Sequence, residues 1–210
     1  MTTPAAILLR YSPAPADAAA IERLAAEAVA RYPGRFERVD ANRALDGSHL
    51  YLYFWSSDPA MSDAALAGEL AGLADRQMPG AARDVLYLAP VQDLPGASRG
   101  ETARYHYVVE TDVRPEVAED LDGWYAQEHL PGLAAVAGNI RARRLVAANA
   151  DGSQRSLACY DLTTPAIKQD PAWLAVRATE WSGRVRPHFQ NTRRVMCERV
   201  YALEPGKGAS

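Results

Sequence analysis

One segment of eight residues, Trp124-Tyr125-Ala126-Gln127-Glu128-His129-Leu130-Pro131, holds the side chains best suited to moving a proton. Tyr125 and His129 are four residues apart, which makes them neighbours on the surface of a helix. Pro131 is expected to end or kink that helix, so that His129 lies in its last turn. The negative end of the helix dipole would favour the imidazolium form there and raise the pKa of His129. We therefore predict that His129, assisted by Tyr125, acts as a general acid or base.

Each of these residues also has a purely structural interpretation. A tryptophan buries a large apolar area, so Trp124 is expected in a core as readily as beside a ligand. His129 could instead cap the helix by binding its last carbonyl groups. Two more histidines stand near predicted strands: His106 lies on a strand, and His188 precedes one. His106 is expected to point either into a pocket or into the core.

The elements around the motif follow the order β-α-β-β-α-β within residues 104–205. Short apolar runs predict the strands of this half at 105–109, 140–148, 154–161 and 193–203. The first helix is predicted to run from Pro115 to His129, and the second helix to begin at Pro171. Asp151-Gly152, between the two middle strands, is typical of a hairpin turn.

Residues 1–90 repeat the same order of elements without a tyrosine–histidine pair. Asp58-Pro59 opens the second helix of that half, as Asp170-Pro171 does in the other half. The stretch 91–103 is interpreted as a linker, and 206–210 as a tail. A βαββαβ unit forms a four-stranded antiparallel sheet with both helices on one face. Because the residues that alternate onto the other face are apolar too, we predict an α+β fold of two tandem ferredoxin-like units packed sheet to sheet.

The motif and the strand after it resemble a known superfamily. Trp124-Tyr125 and Glu128-His129-Leu130-Pro131, followed by Gly138 and Arg141-Ala142-Arg143-Arg144, resemble the dimeric α/β-barrel proteins, in particular the EthD-type and related bacterial ferredoxin-like branch. Ala137 departs from the family pattern, which often has proline before this glycine. The resemblance implies a tandem fusion that forms an intramolecular dimeric α/β barrel, with one site per chain in the second half.

The same resemblance implies a pocket between the first helix and the sheet of the second half. His129 would face this pocket with Tyr125 nearby, and Arg144 would anchor a carboxylate, phenolate or enolate. Side chains alternate along a strand, so at most part of the arginine run can point inward. A solvated strand end is the alternative for each arginine. The other expected substrate-binding residues are Trp124, His106, Tyr160 and Trp173, and the last two could equally lie in the core.

The composition argues against several other classes of protein. A net charge of −3 offers no basic surface for nucleic acid. No apolar run reaches the length of a membrane span, and the N-terminus lacks the pattern of a signal peptide, so a cytoplasmic protein without a membrane partner is expected. Cys159 and Cys197 are too few for a disulfide framework or a structural zinc site. The four histidines form no metal-binding motif.

Three functions stay open, and the reaction types and the haem alternative among them are implied by the resemblance to the dimeric α/β-barrel proteins. The first is a cofactor-independent enzyme of the monooxygenase, isomerase, cyclase or dehydratase type, which acts on a small apolar or aromatic metabolite through His129. The second is a protein that binds a metabolite, or serves as a scaffold, without catalysis. The third is haem binding with His129 or His188 as the axial ligand. The chain is expected to be a monomeric pseudo-dimer, or a homodimer through its outer helices.

Overall fold

The computed structural model describes residues 5–56, 64–148 and 154–204. The predicted turn at Asp151-Gly152 and the dipeptide Asp58-Pro59 lie outside the described residues, as does the predicted tail. None of the described helices is long and apolar enough to cross a membrane.

The chain divides into two compact units, residues 1–89 with 197–210 and residues 90–196. The first unit has the predicted βαββαβ order. Its elements are β1 (Ala5–Tyr11), α1 (Ala18–Arg31), β2 (Arg38–Ala44), β3 (Leu50–Ser56), α2 (Ala64–Gln77) and the first part of β4 (Arg83–Pro95). Its strands are antiparallel in the order β4-β1-β3-β2, and residues 197–203 pair with β2 as a fifth strand.

The sheet of the first unit is buried on both faces. Leu52 and Phe54 of β3 pack in an apolar core with helices α1 and α2. Their neighbours Tyr53 and Trp55 point to the opposite face and are buried as well. This pattern follows from the alternation of side chains along a strand. The apolar alternation in the sequence therefore correctly predicts a sheet that is covered on both sides.

The second unit repeats the βαββαβ order with more helical segments. Its elements are β5 (Tyr105–Val113), α3 (Ala118–Trp124), α4 (Leu130–Ala134), β6 (Asn139–Ala148), β7 (Gln154–Leu162), α5 (Pro171–Arg177), α6 (Glu180–Val185) and the first part of β8 (Phe189–Leu203). The strand order is β8-β5-β7-β6-β4.

Two strands are longer than the sequence pattern predicts. Strand β4 continues to Pro95, beyond the first half predicted at 1–90, so the first residues of the predicted linker are strand. Strand β8 begins at Phe189, before the predicted start at Arg193. Alternation weakens near the ends of both strands, where their residues are half-buried or exposed. The division of the chain into separate domains at 1–90 and 104–205 stays a prediction.

The helix that contains the motif does not end where the sequence predicts. Helix α3 runs to Trp124, a π-helical turn follows at Tyr125–His129, and α4 continues from Leu130. In a regular α-helix the ring of Pro131 would clash with the carbonyl four residues earlier. The wider turn, in which the Leu130 N–H donates to the Tyr125 carbonyl, lets the helix pass the proline. Of the two effects predicted for Pro131, ending the helix is wrong, and His129 does not lie in the last turn.

Gly138 allows the chain to turn from α4 into β6. Its φ is +87°, in the left-handed region that favours glycine. A Cβ atom at this position would lie 3.0 Å from side-chain atoms of Ile167 and Thr163. The next residue, Asn139, ties the turn to the preceding helix by donating from Nδ2 to the Leu133 carbonyl over 2.9 Å. Geometry and space therefore both require a glycine at this point of the motif.

Candidate active site

The second unit contains a cavity between its helices and the face of its sheet that carries Tyr107 and Tyr160. The cavity has a volume of about 30 Å³. That is room for roughly one or two waters. Half of the residues that line the cavity are aromatic, namely Tyr107, Trp124, Tyr125, Tyr160, Trp173 and Phe189.

Three buried polar atoms on this wall have no hydrogen-bond partner among the described residues: His129 Nδ1, the Tyr160 hydroxyl and Trp173 Nε1. All three side chains are less than a tenth exposed. A buried polar group without a partner costs on the order of 1–3 kcal/mol, and most such groups in folded proteins are paired. The grouping places three polar atoms that can form further hydrogen bonds on the wall of one cavity.

The imidazole of His129 contacts two aromatic rings. It stacks on the Trp124 indole with ring centroids 4.0 Å apart and planes inclined by 21°. The Tyr125 ring meets it edge-on at 5.6 Å. Trp124 is itself oriented because its Nε1 donates to Ser182 Oγ over 3.2 Å. The π-helical turn thus places Tyr125 and His129 side by side, as their spacing in the sequence predicts.

The charge state of His129 is the opposite of the prediction. Burial, together with the positive charges of Arg186 and Arg177, lowers the pKa of His129 to about 3. The helix continues beyond His129, so the negative end of the helix dipole, which was expected to favour an imidazolium, lies further along the chain. His129 is therefore neutral near pH 7 and can accept a proton or a hydrogen bond.

Arg144 does not line the cavity. Its guanidinium lies 4.8 Å from the centre of the Tyr125 ring, behind the wall that this ring forms. The same group donates to Asp122 Oδ1 over 2.5 Å and to Ser156 Oγ over 3.2 Å. The predicted role as a substrate anchor is therefore corrected: Arg144 supports the Tyr125 side chain. Burial raises the pKa of Tyr125, so its hydroxyl stays protonated.

His106 lies on the other face of the sheet, away from the cavity. Its Nδ1 is 3.0 Å from Asp161 Oδ1, and Asp161 in turn lies 3.4 Å from Arg143 Nη1. Both His106 and Asp161 are almost fully buried in this charged cluster. The strand alternation that directs Tyr107 into the cavity directs His106 the opposite way. The prediction of His106 as a substrate contact is wrong.

Three arginines form the charged part of the cavity wall, and none of them was predicted from the sequence as a site residue. Arg177, Arg186 and Arg194 line the cavity, and they come from α5, from the turn before β8 and from β8 itself. No motif links three arginines from separate elements, so no local pattern in the sequence marks them. Phe189, which directly follows His188 in the sequence, lines the cavity as well.

Haem, one of the three functions left open by the sequence, does not fit this cavity. His129 Nδ1 is an imidazole nitrogen of the kind that binds iron. A haem macrocycle, however, needs far more space than the cavity offers, and far more movement of the wall than a single aromatic ring would need. His188, the other candidate ligand, is exposed and does not line the cavity. Within residues 5–56, 64–148 and 154–204, no three or more His, Cys, Asp or Glu side chains gather around a possible metal position.

The chain is similar over nearly its whole length to several solved structures. One is a protein described as a candidate monooxygenase from Lactobacillus acidophilus NCFM, with 14% sequence identity, a TM-score of 0.62 and 97% of each chain covered. Another is an anthrone oxidase-like protein, with 16% identity, a TM-score of 0.64, and 99% of this chain and 95% of that chain covered. A third is a ferredoxin-fold protein related to antibiotic biosynthesis monooxygenases from Listeria monocytogenes 4b F2365, with 10% identity, a TM-score of 0.53, and 94% and 96% covered. No protein-family model and no curated protein matches the sequence.

These similarities confirm the predicted fold class. The chain has an α+β fold with the ferredoxin-like order of elements, and its structural neighbours have the dimeric α/β-barrel fold. At identities between 10% and 16%, the similarity extends to the fold and not to a substrate or a reaction.

Proposed function

We propose that this protein is a cofactor-independent enzyme that transfers a proton on a small, largely aromatic molecule bound in the cavity of the second unit. The observation behind this proposal is the grouping of His129 Nδ1, the Tyr160 hydroxyl and Trp173 Nε1, all buried and unpartnered on the wall of one cavity. Aromatic walls suit a flat ligand, and the three polar atoms suit its oxygen substituents.

His129 would act as the base. In the reaction, a C–H or O–H bond of the substrate breaks, the proton joins the imidazole, and the electron pair moves to a substrate oxygen as an enolate or phenolate. A pKa of about 3 makes His129 a weak base in the empty cavity. The anion that forms beside the imidazolium would raise this pKa, because opposite charges favour each other's ionised form.

Tyr160 and Trp173 would stabilise the oxyanion. Their ring centroids are 5.3 Å apart, so the two donors belong to one part of the wall. Burial holds the pKa of Tyr160 well above its usual value, so the hydroxyl keeps its proton and can donate. Donors already in place and shielded from water are an effective way to stabilise developing charge. Tyr125, which the sequence singles out with His129, is a further donor on this wall.

The fate of the anion would decide the reaction type. Return of the proton to another atom gives an isomerase, and loss or attack of a neighbouring group gives a dehydratase or cyclase. With dioxygen as a co-reactant and oxidant, the same anion would lead to a monooxygenase. The names of the structural neighbours, a candidate monooxygenase and an anthrone oxidase-like protein, support the oxidative variant and an aromatic substrate.

We also propose that the two halves arose by tandem duplication and that the chain belongs near the EthD-type branch and works in the cytoplasm. The matching order of elements in the two units supports the duplication. The motif that ends at Pro131 supports the branch. After the proposed duplication, the first half kept only the fold, whereas the second half also kept the ligand site.

A protein that binds a metabolite without changing it is the second candidate, because unpartnered donors and acceptors would serve such a protein equally well. Screening with aromatic hydroxy compounds and ketones, followed by mass spectrometry of the recovered ligand with and without dioxygen, separates the two functions. A stabilising ligand that is always recovered unchanged would favour binding alone.

His129→Gln tests the proposed base, since it keeps the size of the side chain and removes the basic nitrogen. We expect its turnover to fall by roughly 10²–10⁴-fold, the usual contribution of general base catalysis, with binding changed far less. His188→Gln is the matched control, because His188 is exposed and outside the cavity. Equal turnover in the two variants would disprove the role of His129.

A further inference from the structure

We infer that the ligand of this cavity carries a carboxylate, which Arg177, Arg186 and Arg194 bind at the cavity wall. This inference rests on the proposed function in one respect, that the cavity is the ligand site. It adds the charge of the ligand and the residues that select for it.

The three arginines line the same cavity, and their positive charges act on one another there. Arg177 and Arg194 both oppose the positive charge of Arg186, whose pKa is lowered first by burial and then by these two neighbours. The same two residues lower the pKa of Lys168, after burial. Lys168 lies with its Nζ 4.2 Å from the centre of the Tyr107 ring on the cavity wall. Positive charge is therefore concentrated around one small aromatic space.

Arg177 and Arg186 differ from the other buried and half-buried arginines of the described second unit, because those pair with carboxylates. In the described part of the second unit, buried and half-buried arginines elsewhere each pair with a carboxylate, namely Arg141, Arg143, Arg144, Arg155 and Arg193. Arg177 and Arg186 are half-buried, yet neither forms an ion pair with a described carboxylate. The contact that Arg186 does make, from Nη1 to the carbonyl of Arg177 at 3.3 Å, leaves its charge uncompensated.

Uncompensated positive charge inside a protein is costly, and it is retained where an anion binds. A carboxylate is the anion that best fits these surroundings. The planar guanidinium group binds a carboxylate through two parallel hydrogen bonds. The aromatic rings beyond the arginines, with the unpartnered Trp173 Nε1 and Tyr160 hydroxyl, suit a flat ring attached to it.

The arginines are also placed to admit such a ligand. The room in the cavity suits only a few waters, so any ring requires side chains of the wall to move. Arg194 is exposed, and Arg177 and Arg186 are half-buried, so these long side chains can swing outward more easily than the buried aromatic residues. Their mutual repulsion opposes a closed empty cavity, whereas a carboxylate between them favours closure.

The test compares the affinity of matched acids and amides, measured by calorimetry. The probes are benzoate with benzamide, 1-naphthoate with 1-naphthamide, and 2-naphthoate with 2-naphthamide. We expect at least one acid to bind about tenfold more tightly than its amide, with a preference that shrinks as salt is raised. Arg177→Gln and Arg186→Gln should each reduce the affinity for that acid about tenfold and leave that for the amide within about twofold.

Arg184→Gln is the control variant. Arg184 lies on the neighbouring helix α6, where it pairs with Asp120 at 2.8 Å, and it does not line the cavity. Its affinity for acid and amide should match that of the unaltered protein. Circular dichroism and thermal unfolding of all variants check that each one folds. An equal loss in Arg184→Gln, or amides that bind as tightly as acids, would overturn the inference.

The results of these binding and turnover experiments distinguish the carboxylate site from the proposed proton transfer by His129. Amides and acids that bind equally would leave the cavity as a ligand site and remove the selection for charge. Acid-selective binding that depends on Arg177 and Arg186, together with unchanged turnover in His129→Gln, would refute the proton transfer and leave the carboxylate site standing. Absence of binding by every probe pair would overturn the carboxylate site.

Discussion

The imidazole of His129 lies nearly parallel to the indole of Trp124, with their ring centroids 4.0 Å apart. This contact buries His129 in apolar surroundings and fixes the plane of its ring. Because the histidine is shielded from water on this side, its protonated form is strongly disfavoured. The contact explains why His129, which could serve as a base, lowers the stability of the folded protein at low pH.

The pH dependence of stability tests this arrangement. The pKa of His129 is about 3 in the folded protein and should be about 6.5 when unfolded, so the unfolded state binds the proton more readily. Stability that is fully present above pH 6.5 is therefore lost as the pH falls toward 3. Between pH 7 and pH 4 we expect the native protein to lose roughly 2–4 kcal/mol more than His129→Gln does.

Urea unfolding of both proteins at several pH values measures this difference. Loss of carboxylate interactions affects both proteins alike and cancels in the comparison. A difference that stays constant from pH 7 to pH 4 would contradict the buried, neutral state of His129. Titration of the His129 ring protons by NMR gives the same pKa by an independent route.

Removing the Tyr160 hydroxyl should stabilise the protein and impair its function. The hydroxyl is buried without a partner among the described residues. Tyr160→Phe therefore removes a polar group that destabilises the folded protein when no ligand is bound. We expect an increase of about 1 kcal/mol in the free energy of unfolding, with weaker ligand binding or slower turnover. Thermal unfolding with and without ligand measures both effects.

Tyr107→Phe is the matched control for that variant. Tyr107 stacks near Tyr160 with ring centroids 6.1 Å apart, but its hydroxyl is not among the buried atoms without a partner. The control should therefore not gain stability. If Tyr160→Phe is destabilising while Tyr107→Phe is neutral, the Tyr160 hydroxyl has a partner in the empty protein, and the argument for a ligand at this atom weakens.

Gly138→Ala should destabilise the second unit. The residue has a φ of +87°, and its added Cβ would lie 3.0 Å from Ile167 and Thr163 side-chain atoms. Backbone strain and crowding together predict a loss of about 1–3 kcal/mol. Gly183→Ala in helix α6 is the control, because no atom lies within 4 Å of a Cβ there. It should gain about 0.5–1 kcal/mol from the better helix propensity of alanine.

Urea unfolding compares the two glycine variants directly. Opposite signs are expected, since one glycine is required by its backbone geometry and the other only lowers the stability of a helix. A neutral Gly138→Ala would mean that this turn can adopt another conformation.

The sequence by itself determined the order of the elements, the two-sided burial of the sheets and the pairing of Tyr125 with His129. These features depend on local rules: alternation along a strand, spacing along a helix, and the preferences of proline and glycine at element ends. Such rules act over a few residues and can be read without knowing the fold. They also identified aromatic residues, Tyr160 and Trp173, that the structure places on the cavity wall.

Only the tertiary structure decided the chemistry of the cavity. The pKa of His129 depends on how completely other elements bury it, and its direction was therefore mispredicted from the helix end alone. Packing also directs the side chain of Arg144 behind Tyr125, whereas the arginines that face the cavity come from α5, the turn before β8 and β8 itself. Burial and the meeting of charges distant in the chain are properties of the folded protein, because both arise only when separate elements pack together.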